Sequence, residues 1–589
     1  MNDKNTKTLK DTYGVAYNNY KKGDLKAAEI LCYKILSIDP SFIESKILLA
    51  NISAKNRNFK ETKKLLVEAN EQEPKNISVL NNLGTVSREL GEIKNAVDYF
   101  KKAIEIDPNN GNSYYNLGAI YYDAKKFKEA KIYLEKTVEL QPNFALPYFV
   151  LGNLHADLKD YENAISSYNK AIKINKNLVG AYNNLGLVYR NINNFESAIS
   201  SYENAIAIKV DHVNAYHNLA LVLKDLGKFK SAIQAHEKAI KYEPENLAHY
   251  YYLSDLKKNI LDTNFKNKIE KIIGKKNSRK INIAYGNFLL AKYEQKIKNY
   301  EKELSYLAEG HKNFFDSKKN KFELLVQYTF RDMLQISEDA KVEGLINSDL
   351  QKIKPIFIIG VPRCGSTLVE KIIGSGEKFV PMGEETSVLE EFVTAKILKK
   401  QSLNLGDVGN VRDEISNIYL KRGLVLKKYD NTFTDKSLNN FFYLKLIKEI
   451  FPNAKVINCK RDVLASIMSI FQNNLTEVAW AHDLNNIFQY VDNYLQTIES
   501  YNLENPNFVY GLQYEKLINN PEEESKKLME FCGLPWSKKC LEFYKREDIF
   551  SKTTSNIQIR QAVYKHSLDK YLPYKKMLVK YGKKYPWFN

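Results

Sequence analysis

The residues best suited to hold an anion lie in the stretch PIFIIGVPRCGSTLVEKII, residues 355–373. The apolar run at 356–359 predicts a buried strand, the glycine-bounded segment after it a tight turn, and residues 367–373 the start of a helix. A strand, a tight loop and a helix N-terminus make an anion site, because backbone N–H groups and the helix dipole converge on one point. Gly360 and Gly365 stand at the spacing of the phosphate-binding pattern G-x-x-x-x-G-K-[ST], and Thr367 supplies its hydroxyl. Ser366 stands where that pattern has lysine, the residue that reaches β- and γ-phosphates. The loop therefore suits a shorter anion, held by backbone, hydroxyls and Arg363. The alternative is an ordinary glycine turn after a strand, which even for the loop taken alone ranks below the anion reading.

The elements around this loop come next. Short apolar runs at 378–381, 432–434, 454–458 and 508–511 read as strands separated by helical stretches, which predicts a parallel sheet with helices on both faces. Ligands of such sheets sit at the carboxyl ends of strands. The segments MGEET (382–386), TDKS (434–437) and CKRD (459–462) each follow one of those runs, as the glycine loop follows the first.

The chain has 589 residues, enough for more than one domain, with 44% hydrophobic and 27% charged residues. Tyrosine is abundant at 40, while glycine (25) and proline (15) are scarce, which favours helices over an all-β architecture. The net charge is +18, but the lysines are interleaved with glutamate, so a solvated basic surface is expected rather than a nucleic-acid interface. Five cysteines, Cys32, Cys364, Cys459, Cys532 and Cys540, are odd in number and far apart, which argues for a reducing compartment. The N-terminus has no apolar leader, and no apolar run is long enough to span a membrane, so a cytoplasmic protein is expected.

The first 250 residues repeat with a period of 34. Proline recurs at Pro40, Pro74, Pro108, Pro142 and Pro244, with Lys176 and Val210 in the two intervening slots. Small residues recur at Ala16, Ala50, Gly84, Gly118, Gly152, Gly186 and Ala220, and again at Ala28, Ala96, Ala130, Ala164, Ala198 and Ala232, with Thr62 the exception. Each unit predicts two antiparallel helices that cross closely at the small residues, with proline ending the second. The pattern resembles the tetratricopeptide repeat: about seven repeats in a solenoid at 1–247, then a helical connector with degenerate repeats at 248–350. Such a superhelix offers a groove to a protein or peptide. Asn82, Asn116, Asn184 and Asn218 share one repeated position, with Val150 breaking the row, and their amides can pair with an extended backbone. This row resembles that of the O-linked N-acetylglucosamine transferases.

The rest of the chain, 351–589, resembles the sulfotransferases that use 3′-phosphoadenosine 5′-phosphosulfate, above all the tyrosylprotein sulfotransferases and bacterial proteins that fuse repeats to such a domain. The resemblance implies a fold: an α-solenoid followed by a three-layer α/β domain with a parallel sheet and a phosphate-loop-like anion site. It also implies roles. Arg363, Cys364, Gly365, Ser366, Thr367 and Leu368 match the loop that binds the 5′-phosphosulfate. Arg461 and Ser469 match the pair that grips the 3′-phosphate, and eight residues of helix bring them to one face. Glu384 matches the catalytic acid segment and is the expected general base, with Glu385 raising the pKa of one of the two by like-charge repulsion. Lys436 would neutralise charge on the leaving side. Ser555, Tyr514 and Arg560 match weaker contacts to the transferring group, the nucleotide and the 3′-phosphate. No metal is implied. The sequence departs from the family pattern at Cys364, Val463 and Leu438. A thiol activated by the loop's positive potential would make Cys364 oxidation-sensitive. His482, in WAHDL, is the rival base.

The expected function is thus transfer of a sulfuryl group to an acceptor hydroxyl, peptide tyrosine among the candidates, with the repeats docking a protein partner. The alternatives are a phosphate-loop kinase or triphosphatase, which Ser366 disfavours, and a non-catalytic repeat scaffold.

Overall fold

The structure, a computed structural model, describes residues 3–344, 353–400, 403–425, 431–546, 548, 550–553, 556–562 and 571–588. The chain divides into two compact units, Met1–Val210 and Asp211–Asn589.

The first unit is a run of helical hairpins. From the second hairpin on, a helix of 13 residues is joined to one of 14: Ile43–Lys55 to Phe59–Gln72, Ile77–Glu89 to Ile93–Ile106, and so on to Val179–Asn191 and Phe195–Ile208. The periodic small residues lie where the two helices touch. A Cβ added to Gly84 would stand 2.6 Å from Phe100, one on Gly152 2.5 Å from Tyr168, and one on Gly186 2.6 Å from Tyr202. Ala96, Ala130, Ala164 and Ala198 are fully buried at the facing position. Proline follows the C-cap residues Asp39, Glu73, Asp107 and Gln141, where no further helical N–H is required.

A second periodic feature is conformational. The turn inside each hairpin carries one residue with positive φ, at Gly23, Arg57, Gly91, Lys125, Lys159, Asn193 and Gly227. Glycine is therefore optional there, which is why no glycine repeat marks these turns in the sequence.

The second unit begins with the hairpin Val213–Asp225 and Phe229–Tyr242, the seventh among the described residues. Two longer helices, Lys280–Lys296 and Tyr300–Ser317, reuse the same packing device, because a Cβ on Gly310 would stand 2.8 Å from Phe288. These helices share one continuous hydrophobic core with the sheet that follows.

Seven strands are described: β1 (Lys341–Glu343), β2 (Lys354–Ile359), β3 (Met382–Glu384), β4 (Asn404–Asp407), β5 (Thr432–Lys436), β6 (Lys455–Lys460) and β7 (Val509–Gln513). β1 and β4 form a small parallel pair. The other five form a parallel sheet in the order β3-β5-β2-β6-β7. The chain leaves central β2 toward one edge for β3 and β5 and toward the other for β6 and β7. That reversal opens a crevice at the carboxyl end of β2. The strand expected at 378–381 lies later, at β3: pairing with β5 selects Met-Gly-Glu over the more apolar run before it, because Gly383 sits flat against the Thr434 carbonyl.

Candidate active site

The glycine loop leaves β2 and enters the helix Ser366–Gly374. Gly360 has φ +150°, and a Cβ there would stand 2.7 Å from Cys364 Sγ. Arg363 (φ +71°) and Gly365 (φ +99°) are left-handed, so the chain curls into a concavity just before the helix N-terminus. Ser366 and Thr367 open the helix and are buried. Cys364 turns its thiol inward toward Cys459 of β6, and its N–H donates to Val361 O at 3.2 Å within the loop. Leu368 is half-buried against the core.

Arg461 and Ser469 close on this loop from β6 and from the helix Val463–Phe471. Arg461 Nη1 donates to Arg363 O at 2.9 Å, and Arg363 Nε donates to Ser469 Oγ at 3.1 Å. Tyr514, the first residue after β7, lays its ring across Gly365, where a Cβ would meet it at 2.4 Å, and the Arg461 guanidinium lies 5.1 Å from that ring's centre. Three separate strand ends thus deliver two arginines, three hydroxyl residues and an aromatic face to one concavity.

The expected base and its lysine partner come from the opposite edge of the sheet. Glu384 ends β3, Lys436 ends β5, and the two are register partners. Lys436 Nζ stands 3.7 Å from Glu384 Oε1 and 3.6 Å from Glu385 Oε1, with 1% of its side chain exposed. Glu384 also accepts from Ser551 Oγ (2.7 Å, Oε1) and from the Lys552 N–H (2.9 Å, Oε2). Burial alone would raise its carboxyl, but Lys436, Lys371, the Lys552 N–H and the Ser551 hydroxyl hold it below the usual glutamate range. The raised pKa expected from Glu385 is therefore corrected for Glu384: Glu385 is exposed and shares Lys436, and the nearby cations outweigh like-charge repulsion. Burial would lower the Lys436 ammonium, but Glu385, Glu384 and Glu370 hold it above the usual lysine range.

Asp435 offers Lys436 no ion pair. Its carboxylate accepts from Thr386 and Tyr419 hydroxyls (2.7 and 2.5 Å) and from both the N–H and hydroxyl of Ser437 (3.0 and 2.6 Å). Arg560 Nη2 donates to Asp225 O at 3.3 Å, and its guanidinium packs on Gly227. His482 is a packing residue. Its ring stacks against both Phe314 and Phe322, its Nδ1 pairs with His311 Nδ1 at 2.9 Å, and burial beside His311 pushes it down to about 2, which removes it as a base. Ser555 lies outside the described residues.

The sequence reading missed four groups. Glu370 and Lys371, in the helix after the loop, are buried; Lys371 Nζ stands 3.6 Å from Glu370 Oε2, and Thr434 Oγ1 donates to Glu370 Oε1 at 2.8 Å. Burial pushes the Glu370 carboxyl up despite Lys371 and Lys436. The flanking VEKII pattern, two charges enclosed by apolar residues, was the available signal. Ser551 and Thr553 carried no signal of their own. Among the described residues no group of three His, Cys, Asp or Glu side chains could hold a metal ion, and no helix is long and apolar enough to cross a membrane.

Comparison with known proteins fits this geometry. The profile described as "Sulfotransferase family" matches residues 355–538, and that described as "Tetratricopeptide repeat protein 21 C-terminal ARM domain" matches residues 60–263. An uncharacterized protein of Aquifex aeolicus (strain VF5) is 31% identical over 319 residues, 50% of this chain and 40% of its own length. The protein-tyrosine sulfotransferase of Drosophila melanogaster is 26% identical over 34% of this chain and 44% of its own. Protein-tyrosine sulfotransferase A of Caenorhabditis elegans is 31% identical over 32% of this chain and 51% of its own. The chain thus spans about half, or less, of the length of these curated relatives. Among solved structures, that of MamA is 31% identical over 28% of this chain and 95% of its own, with a TM-score of 0.27. The chain carries a sulfotransferase-family domain in its C-terminal region, preceded by tetratricopeptide-type repeats.

Proposed function

We propose that this protein moves a sulfuryl group from 3′-phosphoadenosine 5′-phosphosulfate to an acceptor hydroxyl, with protein tyrosine as the acceptor. The observation that carries this reading is the register pairing of Glu384 with Lys436 at the sheet end that also holds the glycine loop. The residues fit such a donor. The left-handed loop and helix N-terminus suit the 5′ group, Arg461 and Ser469 the 3′-phosphate, and the Tyr514 ring a base or ribose face.

In the transfer, Glu384 accepts the acceptor's proton as the new O–S bond forms. Lys436 and Arg363 stabilise the negative charge gathering on the oxygen whose bond to sulfur breaks, and that oxygen keeps the electron pair on the departing adenosine 3′,5′-diphosphate. A carboxylate held low is ionised throughout the neutral range, ready for a proton released only in the transition state. The name shared by several relatives supports tyrosine as acceptor. The repeats would dock a protein substrate or partner. Five buried cysteines, none in a disulfide, support a reducing, cytoplasmic setting.

Thermal unfolding of the full chain with adenosine 3′,5′-diphosphate tests the donor site. Ligand at about 100 times Kd should stabilise by about 2.7 kcal/mol, and Arg461→Ala should abolish the shift. Stabilisation by ATP with Mg²⁺ and not by the diphosphate would overturn the reading. Transfer of labelled sulfate to tyrosine peptides, against serine peptides and simple sugars, tests the acceptor.

A further inference from the structure

The helix Val213–Asp225 ends on the Asp225 carbonyl, in the last turn, where helix carbonyls point out of the C-terminus. Three donors from the C-terminal region converge on it. The Ser551 N–H donates to Asp225 O at 3.3 Å, Asn556 Nδ2 at 3.0 Å and Arg560 Nη2 at 3.3 Å. A cation and two amides at a helix C-terminus are the groups that the dipole favours there. Asn556 Nδ2 also reaches Ser551 O, which ties residues 551 and 556 together behind the contact.

The other end of this segment lies on the catalytic carboxylate. The Ser551 hydroxyl donates to Glu384 Oε1 at 2.7 Å and the Lys552 N–H to Oε2 at 2.9 Å. Thr553 Oγ1 stands 2.9 Å from Ser551 Oγ and 3.4 Å from Thr367 Oγ1 in the anion loop. Ser551 is therefore a two-ended residue, its N–H on the repeat and its hydroxyl on the base. Glu384 faces Lys436, Lys371 and Glu370, with Glu385 beside it in sequence, and Ser551 with Lys552 supplies its remaining hydrogen bonds.

The turn itself is adapted. Of seven equivalent left-handed turn residues, three are glycine. Around Gly23 and Gly91 nothing lies within 4 Å of where a Cβ would stand, whereas at Gly227 the Arg560 guanidinium lies 2.7 Å away. Arg57, Lys125, Lys159 and Asn193 adopt the same turn with side chains, so conformation does not require glycine at 227. Room for Arg560 does.

We propose that the turn at residues 225–227 of the last repeat is a positioning element of the active site, anchoring the segment whose Ser551 and Lys552 orient Glu384. The proposal rests on the reading of Glu384 as general base. It makes this hairpin part of the catalytic apparatus and gives anything that strains it a route to the base.

The test reads Glu384 directly, as the carboxyl infrared band of the full chain that is absent in Glu384→Gln, followed against pH. A hydrogen bond to a carboxylate favours its ionised form, so losing one raises the midpoint. Ser551→Ala should raise it by about one pH unit, tenfold in the ionisation constant, and Ser551→Thr should restore it. Gly227→Asn places at 227 the residue that serves the same turn at Asn193, and displaces Arg560. It should raise the midpoint in the same direction, while Gly91→Asn, with open space around it, leaves it unchanged. Asn556→Ala, which touches the anchor and not Glu384, gives a second route should Gly227→Asn fail to fold by circular dichroism. Gly227→Asn and Asn556→Ala midpoints equal to wild type would overturn the proposal. Sulfuryl transfer retained by Glu384→Gln would instead overturn the base assignment, and leave the titration result standing.

Discussion

In the repeats, Arg88 and Asp123 meet at 2.7 Å with side chains 36% and 59% exposed; at the sheet end, Lys436 meets Glu384 at 3.7 Å with side chains 1% and 5% exposed. The longer contact matters more. Water screens the first pair and holds either partner almost as well when the other is removed. Lys436 has far less water to replace a lost partner, because its side chain is 1% exposed and the charged groups around it are Glu384, Glu385 and Glu370. Distance alone is a poor guide to what an ion pair contributes, and burial decides which of the two units does chemistry with its charges.

The largest effect that would sharpen this contrast is Lys436→Ala. Removing the cation takes from the buried Glu384 and Glu370 one of the two lysines they share and leaves Lys371 alone against both, which should cost about 3–5 kcal/mol of stability. Sulfuryl transfer should fall by about 10²–10³, the scale of losing one preorganised electrostatic group. Assay of purified variant at saturating donor, with a melting curve alongside, measures both; near-wild-type values in each would place Lys436 outside the reaction.

Glycine gives a second pair of tests. Gly152→Val drives a side chain into the Tyr168 ring and should cost about 1–3 kcal/mol or more, with adenosine 3′,5′-diphosphate affinity unchanged. Gly365→Val meets both a left-handed φ and the Tyr514 ring, and should abolish diphosphate binding. Equal effects of the two on affinity would break the distinction between packing glycines and cradle glycines.

These contrasts explain what the sequence could and could not convey. A 34-residue period states the same packing rule seven times, so Gly84, Gly152 and Ala164 identify hairpins from residue type alone. The turn residues escaped notice because Arg57, Lys125 and Asn193 adopt φ > 0 in place of glycine. At the site, the order of strand and loop segments announced Arg363, Glu384, Lys436 and Arg461, but not their partners. Ser551 meets Glu384 across 167 positions, and Asn556 meets Asp225 across 331. Such pairings come from tertiary packing, for which no local spacing rule exists. The same limit misled the reading of Glu385, a neighbour in sequence whose exposed carboxylate pairs with Lys436, while Lys436 and Lys371 reach Glu384 from other elements.

Acid should act on the site through Glu384. Glu384 is held below its ordinary 4.5, so its ionised form is the folded-state form; its contribution is present at neutral pH and lost as pH falls through the lowered value. Transfer activity should therefore persist at pH 5 and fall below about 4.5. An acid limb centred above pH 6 would point to another base. His482→Phe checks the nearest rival. It should leave transfer and its pH profile unchanged and cost about 1–3 kcal/mol, because His311 Nδ1 loses its buried partner.

The smallest effect belongs to Arg88→Ala. The pair it breaks bridges successive hairpins over 35 positions, and on distance alone it would rank above the Lys436 contacts. Its exposure sets the expectation instead: a loss of about 0.2–1 kcal/mol that disappears when both proteins are melted in 1 M salt, where screening acts over about 3 Å. Long arginine stems can pack as well as pair, and a residual loss that salt leaves untouched would measure packing and not the charge. A salt-independent cost above about 2 kcal/mol would show that an exposed pair in the repeats behaves as a buried one does, and would remove burial as the property that separates the two units.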